Sequence, residues 1–357
     1  MTARKRVFVG LSGGVDSAVS AALLKQRGYD VTGVFARIVL EGYPCTAGDD
    51  RRDALRVAAH LQIPFEEIDL SKAYHEKVFA NALESYRRGE TPNPDALCNR
   101  EIKFGLLYDF ARSKGAEYVA TGHYARTTKT ASGRTHLLAG DDPQKDQSYF
   151  LWAVPEEKLA NTLFPVGELH KPQVRALARE YGLPNAERKD SQGLCFLGDI
   201  SIEDALAKEL KLVPGDMLDE KGVIVGRHRG AILYTIGQRH GFEMNTQSAD
   251  QEPRYVIAKD MEKNTITVSK NPAPEAHESS HATEVTLRET NWIGTVADGK
   301  YMARFRYRQT LRPVKLTRVG NSTNVRFNSP QAIPVGQSLV LYDGDRCLGG
   351  GIIDTVR

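Results

Sequence analysis

Cysteine is scarce in this chain, with four in 357 residues, and Cys45, Cys98, Cys195 and Cys347 are scattered with no C-x-x-C pair among them. That excludes a disulfide scaffold and speaks against a zinc ribbon or a locally encoded iron–sulfur cluster, so no metal centre is expected. No apolar run approaches the ~20 residues that span a bilayer, which excludes an integral membrane protein. The opening Met1-Thr2-Ala3-Arg4-Lys5-Arg6 leads into an apolar stretch too short for a signal-peptide core. A cytoplasmic protein is expected. Acid is missing from residues 299–326, where eight basic residues stand. The net charge of +3 conceals this asymmetry, because residues 281–357 carry 11 Lys and Arg against 6 Asp and Glu. Phosphate backbones respond to such local potential.

What is present suffices for globular cores, with 41% hydrophobic and 26% charged residues, and the length sets an expectation of two or three domains. Through the first half, strand-like and helix-like stretches alternate. Residues 6–11, 30–37, 66–70 and 118–121 read as strands. Residues 17–27, 50–61, 74–88, 100–113 and 172–181 read as helices. The alternation predicts an α/β domain with a doubly wound parallel sheet. Past a short acidic helix at 202–210 the texture changes to strands and glycine turns, at 223–225, 255–257 and 265–268. Residues 272–281 are rich in Pro, Ala and Ser and read as a linker, and 339–342 and 349–353 as strands of a small barrel. The expected organisation is an α/β domain at 1–199, a central mainly-β domain at 200–274 and a C-terminal β-barrel at 275–357.

Ser12-Gly13-Gly14-Val15-Asp16-Ser17 falls between the first strand and the first helix. Glycines let the backbone turn tightly and approach a ligand, while the helix start offers free N–H groups and a positive dipole end. Ser12 and Ser17 add hydroxyls. The Gly-Lys-Ser/Thr ending of a Walker A loop is missing, and so is the G-x-G-x-x-G dinucleotide pattern. The blander alternative is a glycine turn with a serine cap.

Thr91-Pro92-Asn93-Pro94-Asp95-Ala96-Leu97-Cys98-Asn99 holds two prolines that restrict φ. They are expected to keep the segment out of a helix, to display Asn93 and Asp95 rigidly, and to leave Cys98 at the start of the next helix, where a thiolate is stabilised. The alternative for Cys98 is a buried small apolar residue beside a structural turn. Cys195 lies in a polar loop, with Gly193 two residues before it and Arg188 and Lys189 nearby. Cys45 and Cys347 read as structural. His123 follows a strand, where it meets a ligand, acts as an acid, or serves as a hydrogen-bonded structural imidazole at the sheet edge. Arg304, Arg306 and Arg308 alternate with Ala303, Phe305 and Tyr307, so a strand there would gather the arginines on one face. Such a face either contacts phosphate or is merely solvated.

The S-G-G-x-D-S turn resembles the PP-loop ATP pyrophosphatases, which attack the α-phosphorus of ATP and leave AMP on an acceptor oxygen. T-P-N-P-D-x-x-C-N (91–99), G-H-Y-A-R (122–126), K-D-Q-S-Y-F-L (145–151) and C-F-L-G-D (195–199) follow in order. With Gly237-Gln238-Arg239, Arg306-Tyr307-Arg308-Gln309 and the C-L-G-G-G of 347–351, the chain resembles, over almost its whole length, the tRNA-specific 2-thiouridylases of the MnmA/TrmU family.

The resemblance implies that the wobble uridine of tRNA is adenylated at its C2 oxygen and that sulfur then replaces that oxygen. It implies ATP with Mg²⁺ as substrate, held by Gly10, Leu11, Ser12, Gly13, Gly14, Val15, Asp16, Ser17, Ala36 and Gly122. The family usually has methionine at the position of Ala36, so what carries over there is a backbone contact. Asn93, Pro94 and Asp95 would meet the flipped-out base. Lys145, Asp146, Gln147, Arg306 and Tyr307 would contact the tRNA, with Asp146 as well suited to orienting its neighbours. Cys195 would carry a persulfide supplied by a cysteine desulfurase or a sulfur-relay protein. Cys98 would either release hydrosulfide from it or close a disulfide with Cys195, and Asp95 would act as acid/base or hold the uracil imide. Some sulfur-inserting relatives hold an iron–sulfur cluster on a C-x-x-C where this chain has Asp95 and Cys98, so no cluster is expected. Two other readings remain. An amide-forming or ligating PP-loop synthetase leaves both cysteine loops unexplained. A tRNA-binding module with a vestigial loop has no need of Ser12, Asp16, Asp95, Cys98 and Cys195 together.

Overall fold

The strand–helix alternation of the first half becomes a five-stranded sheet. In this computed structural model the described residues are 4–43, 46–190, 202–210, 212–239, 241–244, 253–271 and 282–357. Cys45, Cys195 with its C-F-L-G-D motif, and the expected linker at 272–281 lie outside them. Strands β1 (Arg6–Gly10), β2 (Asp30–Arg37), β3 (Phe65–Asp69) and β4 (Tyr118–Ala120) come first. A hairpin of β5 (Ala125–Lys129) and β6 (Thr135–Ala139) follows, then β7 (Thr162–Leu163). The sheet runs β3-β2-β1-β4-β7 and is parallel throughout. Both faces are covered, which is why β1 is apolar at consecutive positions. Val7 and Val9 pack with helices Val15–Gln26, Ala47–His60 and Lys171–Glu180, while Phe8 packs on the other side with Val78, Ile102 and Tyr108.

The helical runs on the Phe8 side are less regular than the sequence pattern suggests. Ser71–Tyr74 and Ala80–Arg87 are α-helical and joined by a π segment, His75–Phe79. Pro94–Cys98 and Tyr108–Ser113 are likewise joined by the π segment Asn99–Leu107. Here the expectation for the two prolines is corrected. Asn93 is the N-cap, its side-chain oxygen accepting the Ala96 N–H at 3.2 Å, and Pro94 sits in the first turn, where its missing N–H costs nothing. The prolines therefore start this helix six residues earlier than the expected boundary at 100.

The central region holds helix Ile202–Glu209 and strands β8 (Gly215–Leu218), β9 (Ile224–His228), β10 (Glu243–Met244), β11 (Tyr255–Asp260) and β12 (Thr265–Ser269). They form one sheet in the order β10-β9-β8-β12-β11. Its Met217, Val256 and Ile266 share a core with Phe79, Leu83 and Leu206.

Six more strands close a barrel: β13 (Ala282–Trp292), β14 (Gly299–Arg304), β15 (Arg312–Val319), β16 (Ser322–Gln331), β17 (Ser338–Asp343) and β18 (Arg346–Val356). The order β13-β16-β15-β14-β17-β18 is completed by pairing of β13 with β18. The C-L-G-G-G motif lies in β18 because neighbouring backbones approach it too closely for side chains. A Cβ at Gly349 would sit 2.0 Å from the Asn291 carbonyl oxygen, and one at Gly350 2.0 Å from that of Leu339. Beyond the barrel, β18 also pairs with β6, Arg346 opposite Leu138 and Cys347 opposite Leu137. The β5–β6 hairpin of the first half thus extends the sheet of the last.

Candidate active site

β1 ends at Gly10 beside β4, at the carboxyl edge of the sheet where the strand order reverses and α/β sheets bind ligands. The Leu11 N–H donates to the Val34 carbonyl at 2.8 Å, and the chain then turns through Gly14 into helix Val15–Gln26. Gly13 has φ +78°, and a Cβ there would lie 2.6 Å from the Asp50 carbonyl oxygen, so both strain and space demand glycine. The Ser17 hydroxyl donates to the Gly14 carbonyl at 2.9 Å and accepts the Ser12 N–H at 3.3 Å. Gly14 is the N-cap, and no side chain caps this helix, so its first-turn N–H groups remain for a ligand. Gly122, just past β4, abuts the same turn: a Cβ there would lie 2.7 Å from the Ser17 nitrogen. The Ala36 side chain is buried in β2, leaving its backbone for any contact.

The loop has no lysine, yet one reaches it from outside. Lys171 Nζ, from the first turn of helix Lys171–Glu180, is 2.7 Å from Asp16 Oδ1 and 2.8 Å from Asp190 Oδ1. Lys145 reaches Asp190 Oδ2 at 2.7 Å and Arg175 reaches Asp190 Oδ1 at 2.7 Å, so three cations surround one carboxylate. Partial burial pushes the Asp190 carboxyl up, but hydrogen bonds from Lys145 and Lys171 outweigh it and bring the pKa to about 2. The Tyr124 hydroxyl donates to Asp16 Oδ1 at 2.8 Å. Behind the loop, Asn185 Nδ2 donates to the Gly13 carbonyl at 2.7 Å, and Arg188 pairs with Asp50 and, at 2.7 Å, with Asp53. Lys171 and Arg175 were not among the residues expected at the site, and Arg188 was expected only near Cys195. The missing Walker lysine signalled that a cation must come from elsewhere, but sequence carries no sign of where.

In the Pro94–Cys98 helix, Asp95 Oδ1 is buried with no hydrogen-bond partner. Cys98 is the fifth residue of this helix, fully buried in the core that includes Ala36 and Ile38. The expectation of a thiol at a helix start is therefore corrected, because the helix begins one turn earlier. Cys347 is also fully buried, and burial pushes its thiol up to about 12. His123 is buried between the rings of Phe104 and Phe164, with Nδ1 2.7 Å from the Thr121 hydroxyl. Burial, aided by the Lys103 charge, holds its pKa well below the usual histidine range, so the imidazole is neutral.

Asp146 is buried. Its Oδ1 accepts the N–H groups of Gly140 and Ser148 at 3.1 and 3.0 Å, and its Oδ2 pairs with Arg304 at 2.5 Å. Gln147 Oε1 accepts the Tyr124 N–H at 2.9 Å. Arg304 is 8% exposed and lies over the Tyr342 ring at 4.7 Å. The expected single arginine face is thereby corrected. β14 ends at Arg304, and the chain turns because Gln309 Oε1 accepts the N–H groups of Phe305 and Arg306 at 2.9 and 3.1 Å. Arg306 then donates to the Ile236 carbonyl of the central domain, while Arg308, at φ +60°, donates to the Gln144 carbonyl at 2.9 Å. The Tyr307 ring packs on Phe150 at 4.8 Å.

A cavity of 520 Å³ opens between the first-half helices and the barrel, bordered by Asn93, Pro94, Trp152 and Ser338. Its charges neutralise one another, Glu90 pairing with Arg88 at 3.1 Å and Arg288 at 2.9 Å, and the phosphate loop does not border it. Among the described residues, no group of three or more His, Cys, Asp or Glu is placed to hold a metal ion, and no helix is long and apolar enough to cross a membrane.

Residues 5–199 match the family described as the tRNA methyl transferase HUP domain. Residues 203–270 match the tRNA methyl transferase PRC-barrel domain, and 282–353 the aminomethyltransferase beta-barrel domain. The tRNA-specific 2-thiouridylase MnmA of Levilactobacillus brevis is 44% identical, covering 98% of this chain and 95% of its own. The proteins of the same description from Lysinibacillus sphaericus and Streptococcus sanguinis are each 43% identical over 98% of this chain, covering 94% and 95% of their own. Among solved structures, NMN synthetase from Francisella tularensis aligns over 57% of this chain and 72% of its own, with 20% identity and a TM-score of 0.36.

Proposed function

The chain belongs to the family of tRNA-specific 2-thiouridylases, and from that premise we propose that it replaces the C2 oxygen of the tRNA wobble uridine with sulfur in an ATP-dependent reaction. The uridine oxygen attacks the α-phosphorus and pyrophosphate leaves. The outer sulfur of a Cys195 persulfide then reaches C2 as AMP departs with the oxygen. It does so either as hydrosulfide, released when the Cys98 thiolate attacks the inner sulfur, or by direct attack followed by Cys98 cleavage of the S–S bond. Both routes leave a Cys98–Cys195 disulfide that an external thiol reductant reopens. The loop from Gly10 to Ser17 cradles the phosphates, flanked by the backbones of Ala36 and Gly122. Lys171, with Lys145 and Arg175, supplies the charge that stabilises the departing pyrophosphate. Mg²⁺ arrives with the nucleotide.

Asn93, Pro94 and Asp95 receive the base, which must leave its stack to react. The unpartnered Asp95 Oδ1 suits the uracil N3–H. Cys195 carries the persulfide and Cys98 is the second thiol. The sulfur comes from a cysteine desulfurase or a relay protein. Asp146 positions Arg304 and the turn bearing Lys145 and Gln147, while Arg306 and Tyr307 meet the tRNA. A tRNA substrate fits a cytoplasmic setting.

One observation supports this reading above the others. A phosphate loop served by an outside lysine shares a domain with a helix that buries an unsatisfied carboxylate oxygen three residues before a thiol. The test is a single turnover of the full chain with unmodified tRNA, ATP, Mg²⁺ and a persulfide donor, followed by nucleoside mass spectrometry. Sulfur-for-oxygen gain on uridine, with AMP and pyrophosphate in equal amounts, is the expected result. Cys195→Ser should lose that gain while binding ATP and tRNA as before. Pyrophosphate release without thionucleoside would point to a PP-loop synthetase acting on another acceptor.

A further inference from the structure

The outer face of the barrel carries a row of positive charge that the site above does not use. Lys300 of β14 lies directly opposite Lys315 of β15, and Lys315 directly opposite Arg326 of β16. Their strand neighbours Tyr301, Val314, Leu316, Val325 and Phe327 pack into the barrel core, so all three cations project outward, and all three are exposed. Strands lie ~4.8 Å apart, which makes the row about 10 Å long.

Like charges directly opposite one another destabilise a sheet. Two other arginines of this barrel are neutralised. Arg318 pairs with Asp298 at 3.0 Å, and Arg288 with Glu90 at 2.9 Å and Asp354 at 3.0 Å. Among the described residues, none of Lys300, Lys315 and Arg326 has an acidic partner within ion-pair distance, although Glu284 stands opposite Arg326 on β13. The row also falls wholly within the acid-free stretch of residues 299–326. Three cations in register, with a single carboxylate opposite the last, cost the barrel stability and serve no contact inside it.

We propose that Lys300, Lys315 and Arg326 form a phosphate-binding row that holds the tRNA backbone outside the reaction site. The inference rests on tRNA being the substrate. A row of about 10 Å faces on the order of three phosphates of one strand. Lys300 is four residues from Arg304 along β14, roughly 13 Å, and Arg304 is tied to Asp146 in the turn that displays Lys145 and Gln147. The row is thus linked to that turn through a single strand.

The test measures binding of unmodified tRNA to the full chain between 50 and 200 mM salt, for wild type, Lys315→Gln, Lys315→Arg and the triple variant Lys300→Gln/Lys315→Gln/Arg326→Gln. The log–log salt slope should fall by about 1 for Lys315→Gln and by about 2 to 3 for the triple variant, while Lys315→Arg keeps the wild-type slope. Turnover at saturating tRNA should not change. Thermal midpoints should hold or rise as the repulsion is relieved, a direction opposite to that of a residue needed for folding. Wild-type slopes in the glutamine variants would overturn the row. So would an unchanged slope accompanied by a raised KM for the sulfur donor, which would assign the patch to an acidic protein partner. If wild type itself neither binds nor thiolates tRNA, the functional reading fails instead, and the two failures are distinguishable.

Discussion

A neutral imidazole in an apolar pocket makes stability depend on pH. His123 is held below its ordinary pKa by burial between Phe104 and Phe164, with the charge of Lys103 adding to the effect. The unfolded chain takes up a proton near pH 6.5, and the folded chain does so only at lower pH. Stability contributed by the neutral form is therefore complete above pH 6.5 and lost progressively as pH falls below it. Denaturant unfolding at pH 7.5, 6.5 and 5.5 should show this loss in wild type and a smaller one in His123→Gln. Equal losses in both would remove His123 from the account. Asp190 belongs to the same scale with the opposite chemistry: its contribution is complete above the ordinary carboxylate pKa of about 4 and fades as pH falls through about 2.

Among elements, the turn after β1 is the most sensitive to small additions. Gly122→Ala places a methyl 2.7 Å from the Ser17 nitrogen. Overpacking of about 1–3 kcal/mol translates into roughly tenfold or greater loss of ATP affinity if the loop is the nucleotide site. Calorimetric titration should find that loss with tRNA binding retained; unchanged ATP affinity would separate Gly122 from the site. The β1–loop–helix unit was legible in the sequence because its signals are local: an apolar strand, glycines, and then helical spacing. The Pro94 helix was not, since the same prolines that forbid a helix interior are welcome in a first turn, and only the Asn93 cap decides between these outcomes. Arg304, Arg306 and Arg308 alternate as a strand should, but the Gln309 side chain ends that strand through two backbone bonds. The site motifs could be named by position, whereas Lys171, Arg175 and Arg188 reach it by folding alone. The β5–β6 hairpin was missed because it is polar and its partner strand lies far along the chain.

The whole molecule is joined across its parts by more than loops. Trp152 packs in one core with Ile293, Val340 and Tyr342 of the second half, and Asn291 Nδ2 donates to the Trp152 carbonyl at 2.7 Å. Arg100 pairs with Glu289 at 3.2 Å, and the Thr91 and Thr235 hydroxyls are 3.2 Å apart. The α/β domain and the barrel should accordingly unfold in one transition. The chain has two tryptophans, Trp152 in the first half and Trp292 on β13, so Trp152→Phe and Trp292→Phe each leave one reporter. Fluorescence from either should give the same denaturation midpoint. Two separated midpoints would show that the halves are independent.

The pairing of β6 with β18 also has a consequence in time. A ribosome adds ~5–20 residues per second, so β18 emerges on the order of ten to forty seconds after the hairpin at 125–139. Through that interval β6 presents an unpaired edge, the kind of surface that recruits other strands. A nascent chain halted before Arg346 never covers it, and β13 and β17 are left open as well. Prematurely terminated copies should therefore be the sticky ones, sorted to chaperones and proteases before they can compete with the finished protein for tRNA.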